Sequence, residues 1–165
     1  MSTQVNMPDY REAEDSALLA AYADALAGCL DGPREQVGER LVRTFLRFWE
    51  DPQLKPRLVE IFRSAFTSET GAAVLRDFMS TQIYSRVAKK LNVPPSNLHR
   101  VAEILKVPPL NFNAGPAQVW GVVMLRYILE IEPIASVSVD ELVDLIAPTI
   151  QRYLGGYSVP VSPAV

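Results

Sequence analysis

Between Ala117 and Leu154 the apolar positions are denser than a single amphipathic stripe requires. In AQVWGVVMLRYILEIEP, Val119, Trp120, Val122, Val123, Met124, Leu125, Tyr127, Ile128, Leu129 and Ile131 fall on every side of a helix. A helix apolar all round must be covered all round, and a partner chain is the simplest cover. The next helix opens at Ser138, with Glu141 three residues on as a capping box, and carries Leu142, Val143, Ile146, Ile150, Tyr153 and Leu154 before Gly155-Gly156 stops it. Two such helices from each of two chains make an intermolecular four-helix bundle.

Upstream, the spacing predicts a first helix over Asp9 to Leu30, with Leu18, Leu19, Tyr22 and Leu26 on one stripe and Asp31-Gly32 ending it. Pro33 suits the first turn of a second helix reaching Glu50, in which Val37, Leu41, Phe45, Phe48 and Trp49 lie opposite Arg40, Arg43 and Arg47. Asp51-Pro52 breaks it, and a short helix follows from Pro56 to Phe66. Ser68 starts a longer one through Leu91, with Val74, Leu75, Phe78, Met79, Ile83 and Val87 at helical period and Lys89 and Lys90 near its C-terminus. Ser96 caps a short helix through Leu105; Pro108-Pro109 and LNFNAGP then predict an irregular connection before Ala117. Within this region Leu91–Leu98 (LNVPPSNL) is echoed fourteen residues later by Leu105–Phe112 (LKVPPLNF). No segment shows sustained strand alternation, so the fold class is all-α, with about seven helices.

The 165 residues suffice for one domain with a real core. A hydrophobic content of 48% against 21% charged residues is that of a globular chain, and no apolar run approaches the ~20 residues of a membrane span. The N-terminus MSTQVNMPDYREAEDS lacks the basic start and apolar core of a secretory signal, which makes the expected location cytoplasmic. Net charge is −3 and the basic residues are dispersed, so nothing supports a nucleic-acid surface; Arg40, Arg43 and Arg47 read as a solvated face. The single cysteine, Cys29, excludes an internal disulfide.

Catalytic chemistry finds little to stand on. His99 has no metal-ligand partner at suitable spacing, and Ser80, Thr81 and Ser85 have no obvious base. Asp140 with Glu141 is explained by capping, and Gly155-Gly156 follows a helix where a phosphate site would precede one. The expectation is no enzyme, no metal and no cofactor. Phe45, Trp49, Phe62, Phe66, Phe78, Met79, Trp120, Met124 and Tyr127 are candidates to line an apolar ligand pocket, with Gln82 or Gln118 as an orienting polar group.

Three strings, GERLVRTFLRFWEDPQLKPRLVEIFRSAF (Gly38 to Phe66), VMLRYILEIEPIAS (Val123 to Ser136) and DELVDLIAPTIQRYL (Asp140 to Leu154), resemble one subgroup of TetR-family transcriptional regulators in its C-terminal regulatory domain. The resemblance runs from about Ala25 to Leu154. It implies a helical domain that holds a small-molecule pocket and dimerises through its last two long helices, here Pro116 to Ile131 and Val139 to Leu154, with Val119, Val123, Tyr127, Leu142, Ile146, Ile150 and Tyr153 as interface candidates. The family's DNA reader is an N-terminal helix-turn-helix unit of roughly fifty residues; the 24 residues before Ala25 carry no such pattern. The chain thus divides into an N-terminal extension (1–24), the regulatory domain (25–156) and a Pro-rich tail (157–165). The resemblance implies a ligand-sensing and dimerisation domain without its own reader, pairing with itself and taking an apolar effector. A modulator that pairs with a full-length relative, and a carrier or enzyme reusing the cavity, stand as alternatives. The segment Asn92 to Pro116 is longer than the family's usual connection and bears on the shape of the pocket.

Overall fold

The structure, a computed structural model, describes residues 8–94 and 98–155, the side chains of residues 8–10 excepted. Its helices are α1 (Pro8–Gly28), α2 (Val37–Glu50, entered by a 3-10 turn), α3 (Lys55–Thr67), α4 (Glu69–Asp77), α5 (Ile83–Lys90), α6 (Leu98–Leu105), α7 (Asn111–Val122) and α8 (Val139–Leu154). A π-helical turn, Phe78–Gln82, joins α4 to α5, and another, Val123–Ile128, extends α7. Helical dihedrals run through both junctions, so the described chain is seven helical rods without a strand. The expected Ser96 cap, Gly156 and the tail lie outside the described residues.

Local chemistry sets most helix boundaries. The Asp51 carboxylate accepts the amides of Gln53 and Leu54 (2.8 and 3.2 Å), turning the chain between α2 and α3. Ser68 Oγ accepts the Gly71 amide at 2.9 Å and opens α4. At α8 the capping box is complete: Ser138 Oγ accepts the Glu141 amide, and Glu141 Oε2 takes the Ser138 amide. The fourteen-residue echo is a repeated helix stop. Asn92 and Lys106 take positive φ (54° and 55°), and the next amides, of Val93 and Val107, donate back to the carbonyls of Ala88 and Ala102 at 3.0 Å. Both are Schellman caps, each followed by a proline that bars further helix. The two caps meet in a small second core of Ala88, Val101, Ala102, Val107 and Phe112.

The main core is aromatic. Tyr22 stacks on Phe48 (4.4 Å), Trp49 on Tyr127 (5.3 Å) and Phe62 on Trp120 (4.7 Å), bringing α1, α2, α3 and α7 together. Helices α2 and α8 cross closely at Gly38, where a Cβ would lie 2.5 Å from the Ala147 carbonyl oxygen. The Gln151 side chain of α8 completes that crossing, accepting the Gly38 amide (2.8 Å) and donating to the Arg34 carbonyl (2.9 Å). It thereby satisfies an amide that the first turn of α2 leaves without a helical partner.

One buried polar cluster closes the far end. Arg126 donates to Glu50 Oε1 (2.9 Å) and to the carbonyls of Ile134 and Val137 (2.7 and 2.8 Å), while the Tyr127 hydroxyl donates to the same Glu50 oxygen (2.7 Å). The π turn, the end of α2 and the loop before α8 are thus held by one guanidinium.

Two expectations are corrected. The helix expected from Ala117 begins six residues earlier, at Asn111, and runs through Pro116. In addition, Val123, Tyr127, Leu142 and Ile150, expected at a dimer interface, are buried in this chain's own core. The largest apolar side chains of α7 and α8 are consumed within the chain, and what they leave outward is Leu125, Leu129, Ile131 and Leu145.

Replacing Gly38 with valine is expected to cost about 2 kcal/mol or more by forcing α2 and α8 apart. Gly28→Ala, where a Cβ meets nothing within 4 Å, is expected to be neutral or to stabilise by up to about 1 kcal/mol; urea unfolding of both variants checks the contrast. Burial, and then the bond to the Glu50 carboxylate, hold the Tyr127 phenol well above its ordinary range, and burial raises Tyr22 as well. Because these folded-state values lie above the unfolded value of about 10, the stabilisation is fully present below that pH and is lost as pH rises toward them. The urea midpoint is therefore expected to fall between about pH 9.5 and 11, and to fall less steeply in Tyr127→Phe.

Candidate functional site

A cavity of about 120 Å³ lies between the two cores, walled by α1, α2, α5, α7, α8 and the first π turn. Phe45, Phe78, Met79 and Trp120 line it, as anticipated from sequence. They are joined by Tyr22, Leu26, Leu41, Ile83, Tyr84, Phe112, Gly115, Pro116, Val119, Ile150 and Leu154. Val119 and Ile150, assigned to an interface on sequence, are therefore pocket walls.

Its polar atoms are engaged with one another. The Trp49 indole N–H donates to Tyr22 Oη (3.2 Å), and that of Trp120 to the Met79 sulfur (3.2 Å). The third polar contact explains the shape of α7. Pro116 has no N–H, so the Phe112 carbonyl four residues earlier lacks its helical donor. The Tyr84 hydroxyl supplies that donor at 2.9 Å, and the two rings meet edge to face at 6.2 Å. Gly115 removes the Cβ that would otherwise clash with the proline ring in a helical conformation. A Gly-Pro pair that reads as a helix stop thus sits inside a helix because a tyrosine from α5 repairs the backbone. The C-terminal end of the segment Asn92–Pro116 accordingly reaches the pocket: Phe112, Gly115 and Pro116 build one wall.

The remaining candidates fall elsewhere. Trp49, Phe62 and Tyr127 are buried one layer behind the cavity, with Phe62 backing Trp120. Phe66 is exposed, and Met124 packs half-buried against the core. Gln82 donates to Asp77 Oδ2 (3.1 Å) and faces a surface groove, so it does not orient a ligand in the cavity. Gln118 is exposed. Ile146 and Tyr153 are half-buried on α8, and His99 is exposed on α6. The groove beside Gln82, about 660 Å³ between α1, α3 and α4, is larger but open and rimmed by Glu12, Asp15, Glu60 and Asp77. Asp15 is ion-paired there with Arg57 at 2.7 Å. The smaller site is the better ligand site, because its lining is almost wholly apolar while carboxylates rim the groove. Sequence reasoning missed the Tyr84, Phe112 and Pro116 unit; the available signal was a Gly-Pro pair between two apolar stretches.

Tyr84→Phe is expected to cost about 1–2 kcal/mol by leaving the Phe112 carbonyl unpaired. In a Pro116→Ala background, where the helix regains its own donor, the same change is expected to cost under about 0.5 kcal/mol. A double-mutant cycle in urea measures the difference.

Comparison with known proteins agrees with this architecture. The model of the tetracyclin repressor-like C-terminal domain matches residues 35–154. No protein of curated function matches the chain. Among solved structures, the chain is similar to a TetR-family regulator from Streptomyces coelicolor A3, with 24% sequence identity, a TM-score of 0.57 and 85% of each chain covered. At that identity the likeness speaks for the fold alone. The domain match covers most of the chain, from α2 through α8 and with them all of the cavity wall except the part that α1 supplies, and on that ground the protein belongs to the tetracyclin repressor-like C-terminal domain family.

Proposed function

We propose that this chain is the effector-sensing and self-associating part of a TetR-type transcriptional regulator. The observation that carries the proposal is the apolar cavity formed inside the family's domain by α7, α8 and the first π turn. Helix α7 serves two surfaces. Pro116, Val119 and Trp120 face the cavity, while Gln118, Gly121, Leu125 and Leu129 form the outward stripe of the same helix and its π extension. On α8 the outward stripe is Glu141, Leu145, Pro148 and Arg152. A guest that displaces Trp120 therefore acts on the element that would meet a second subunit, and its differential fit to two packings of that element is what would bias subunit pairing.

Gly121 supports self-association independently. A helix-interior glycine costs about 0.5–1 kcal/mol relative to alanine, yet a Cβ at Gly121 would meet nothing within 4 Å in this chain. Close approach of a partner helix accounts for the missing side chain. Ahead of α2 the described residues form one uninterrupted helix, α1. In this reading DNA contact belongs to another segment or to a partner; pairing with a full-length relative through the same stripes is the modulator form of the proposal.

Leu129→Asp and Leu145→Asp are each expected to raise the dimer dissociation constant at least about tenfold, or 1.4 kcal/mol, with helix content unchanged. Gly121→Leu is expected to weaken the dimer while raising monomer stability. Val123→Asp is expected to unfold the chain, since Val123 is fully buried. Light scattering after size exclusion, with circular dichroism alongside, separates these outcomes; dimers unaffected by all three surface changes would place the interface elsewhere.

A further inference from the structure

We infer that the cavity takes an uncharged, apolar molecule about the size of one aromatic ring, and holds it by shape without a hydrogen bond; this rests on the sensing role proposed above. Size is the first argument. The cavity measures about 120 Å³, and an engineered protein cavity of roughly 150 Å³ lined by leucine, isoleucine and phenylalanine accepts benzene. An extended amphipathic molecule would have to leave most of its length outside this space.

Polarity is the second argument. Among the described residues no lysine, arginine, aspartate or glutamate lines the cavity, so a carboxylate or ammonium on the guest would be desolvated without a counter-charge from them. The Tyr84 hydroxyl is committed to the Phe112 carbonyl, and the Trp120 N–H to the Met79 sulfur. Tyr22 Oη accepts the Trp49 N–H, and polar atoms contribute almost nothing to the surface the cavity presents, so a polar group on the guest would meet an apolar wall. With its lining almost wholly apolar, the site offers a water few partners, which favours an apolar guest over solvent there.

The walls themselves supply the third. Phe45 and Trp120 stand edge to face at 6.1 Å, and Phe78 and Phe112 line the cavity with them, offering ring faces and edges to an aromatic guest. Met79 adds an unbranched thioether that adapts to irregular outlines. Both departures from regular α-helix that reach this cavity, the π turn at Phe78–Gln82 and the Gly115-Pro116 pair, lie in its wall. Such departures concentrate where a binding function has been favoured over local helix preference.

Toluene and benzoate, similar in outline and different in charge, form the test. Each is titrated into the full chain while the methyl resonances of Met79, Ile83, Val119 and Leu154 are followed by NMR. Toluene is expected to give saturable shifts confined to those methyls, and benzoate to bind at least about tenfold more weakly. Val119→Phe, which fills the cavity, is expected to abolish the toluene shifts while keeping the thermal midpoint; Ile83→Phe serves the same purpose if that variant does not fold. Benzoate binding as tightly as toluene, or oleate shifting these methyls where toluene does not, would overturn the inferred ligand class and leave the sensing role standing. Toluene shifts that survive in the filled variants would show that the guest sits elsewhere and would overturn the inference. No shift with any of the three probes would defeat the inference and the sensing role together.

Discussion

A backbone carbonyl cannot stand unpaired in an apolar wall, and at Phe112 that constraint organises the molecule. Pro116 removes the helical donor, and the Tyr84 hydroxyl reaches across from α5 to replace it. The consequence is an α7 that begins at Asn111, brings Phe112 against Tyr84, and lays Gly115, Pro116 and Val119 along a cavity in place of a plain helix–helix contact. Without that one bond the Gly-Pro pair would end a helix and the cavity would lose a wall.

From this wall the same helix runs on through Trp120 into the second π turn, where Arg126 fastens it to Glu50 and to the carbonyls of Ile134 and Val137. The helix is thus pinned at both ends by polar contacts and is bordered between them by the cavity on one side and an outward stripe on the other. In the proposed sensing role that geometry would let a small guest matter: a displacement at Trp120 would have few directions in which to relax, because close-packed elements shift as units and do not deform continuously.

Much of the fold was legible because its causes are local. The Ser68 and Ser138 caps, the Asp51-Pro52 break and the helical periods each act within a few residues, and all appear in place. The α7 start was misread because a tertiary contact from Tyr84, 28 residues before Phe112, overrides what Gly-Pro dictates locally. Phe45, Phe78, Met79 and Trp120 line the cavity, yet Trp49, Phe62 and Tyr127 have the same pattern and lie a layer behind. Hydrophobic periodicity identifies the inward face of a helix but not whether that face meets another side chain or empty space. Val123, Tyr127, Leu142 and Ile150 lie inside for a related reason: the most apolar positions of α7 and α8 serve the chain's own core first, and the leucines left outward are Leu125, Leu129 and Leu145.

The central claim is that cavity occupancy and subunit pairing are linked through α7. Sedimentation equilibrium of the full chain, with and without saturating toluene, measures that link directly, since a ligand that favours one packing must change the pairing constant by the same coupling free energy. The account predicts a dimer whose dissociation constant moves by about fivefold or more when the cavity is filled. A chain that stays monomeric throughout, or a dimer whose constant ignores a bound guest, would contradict it.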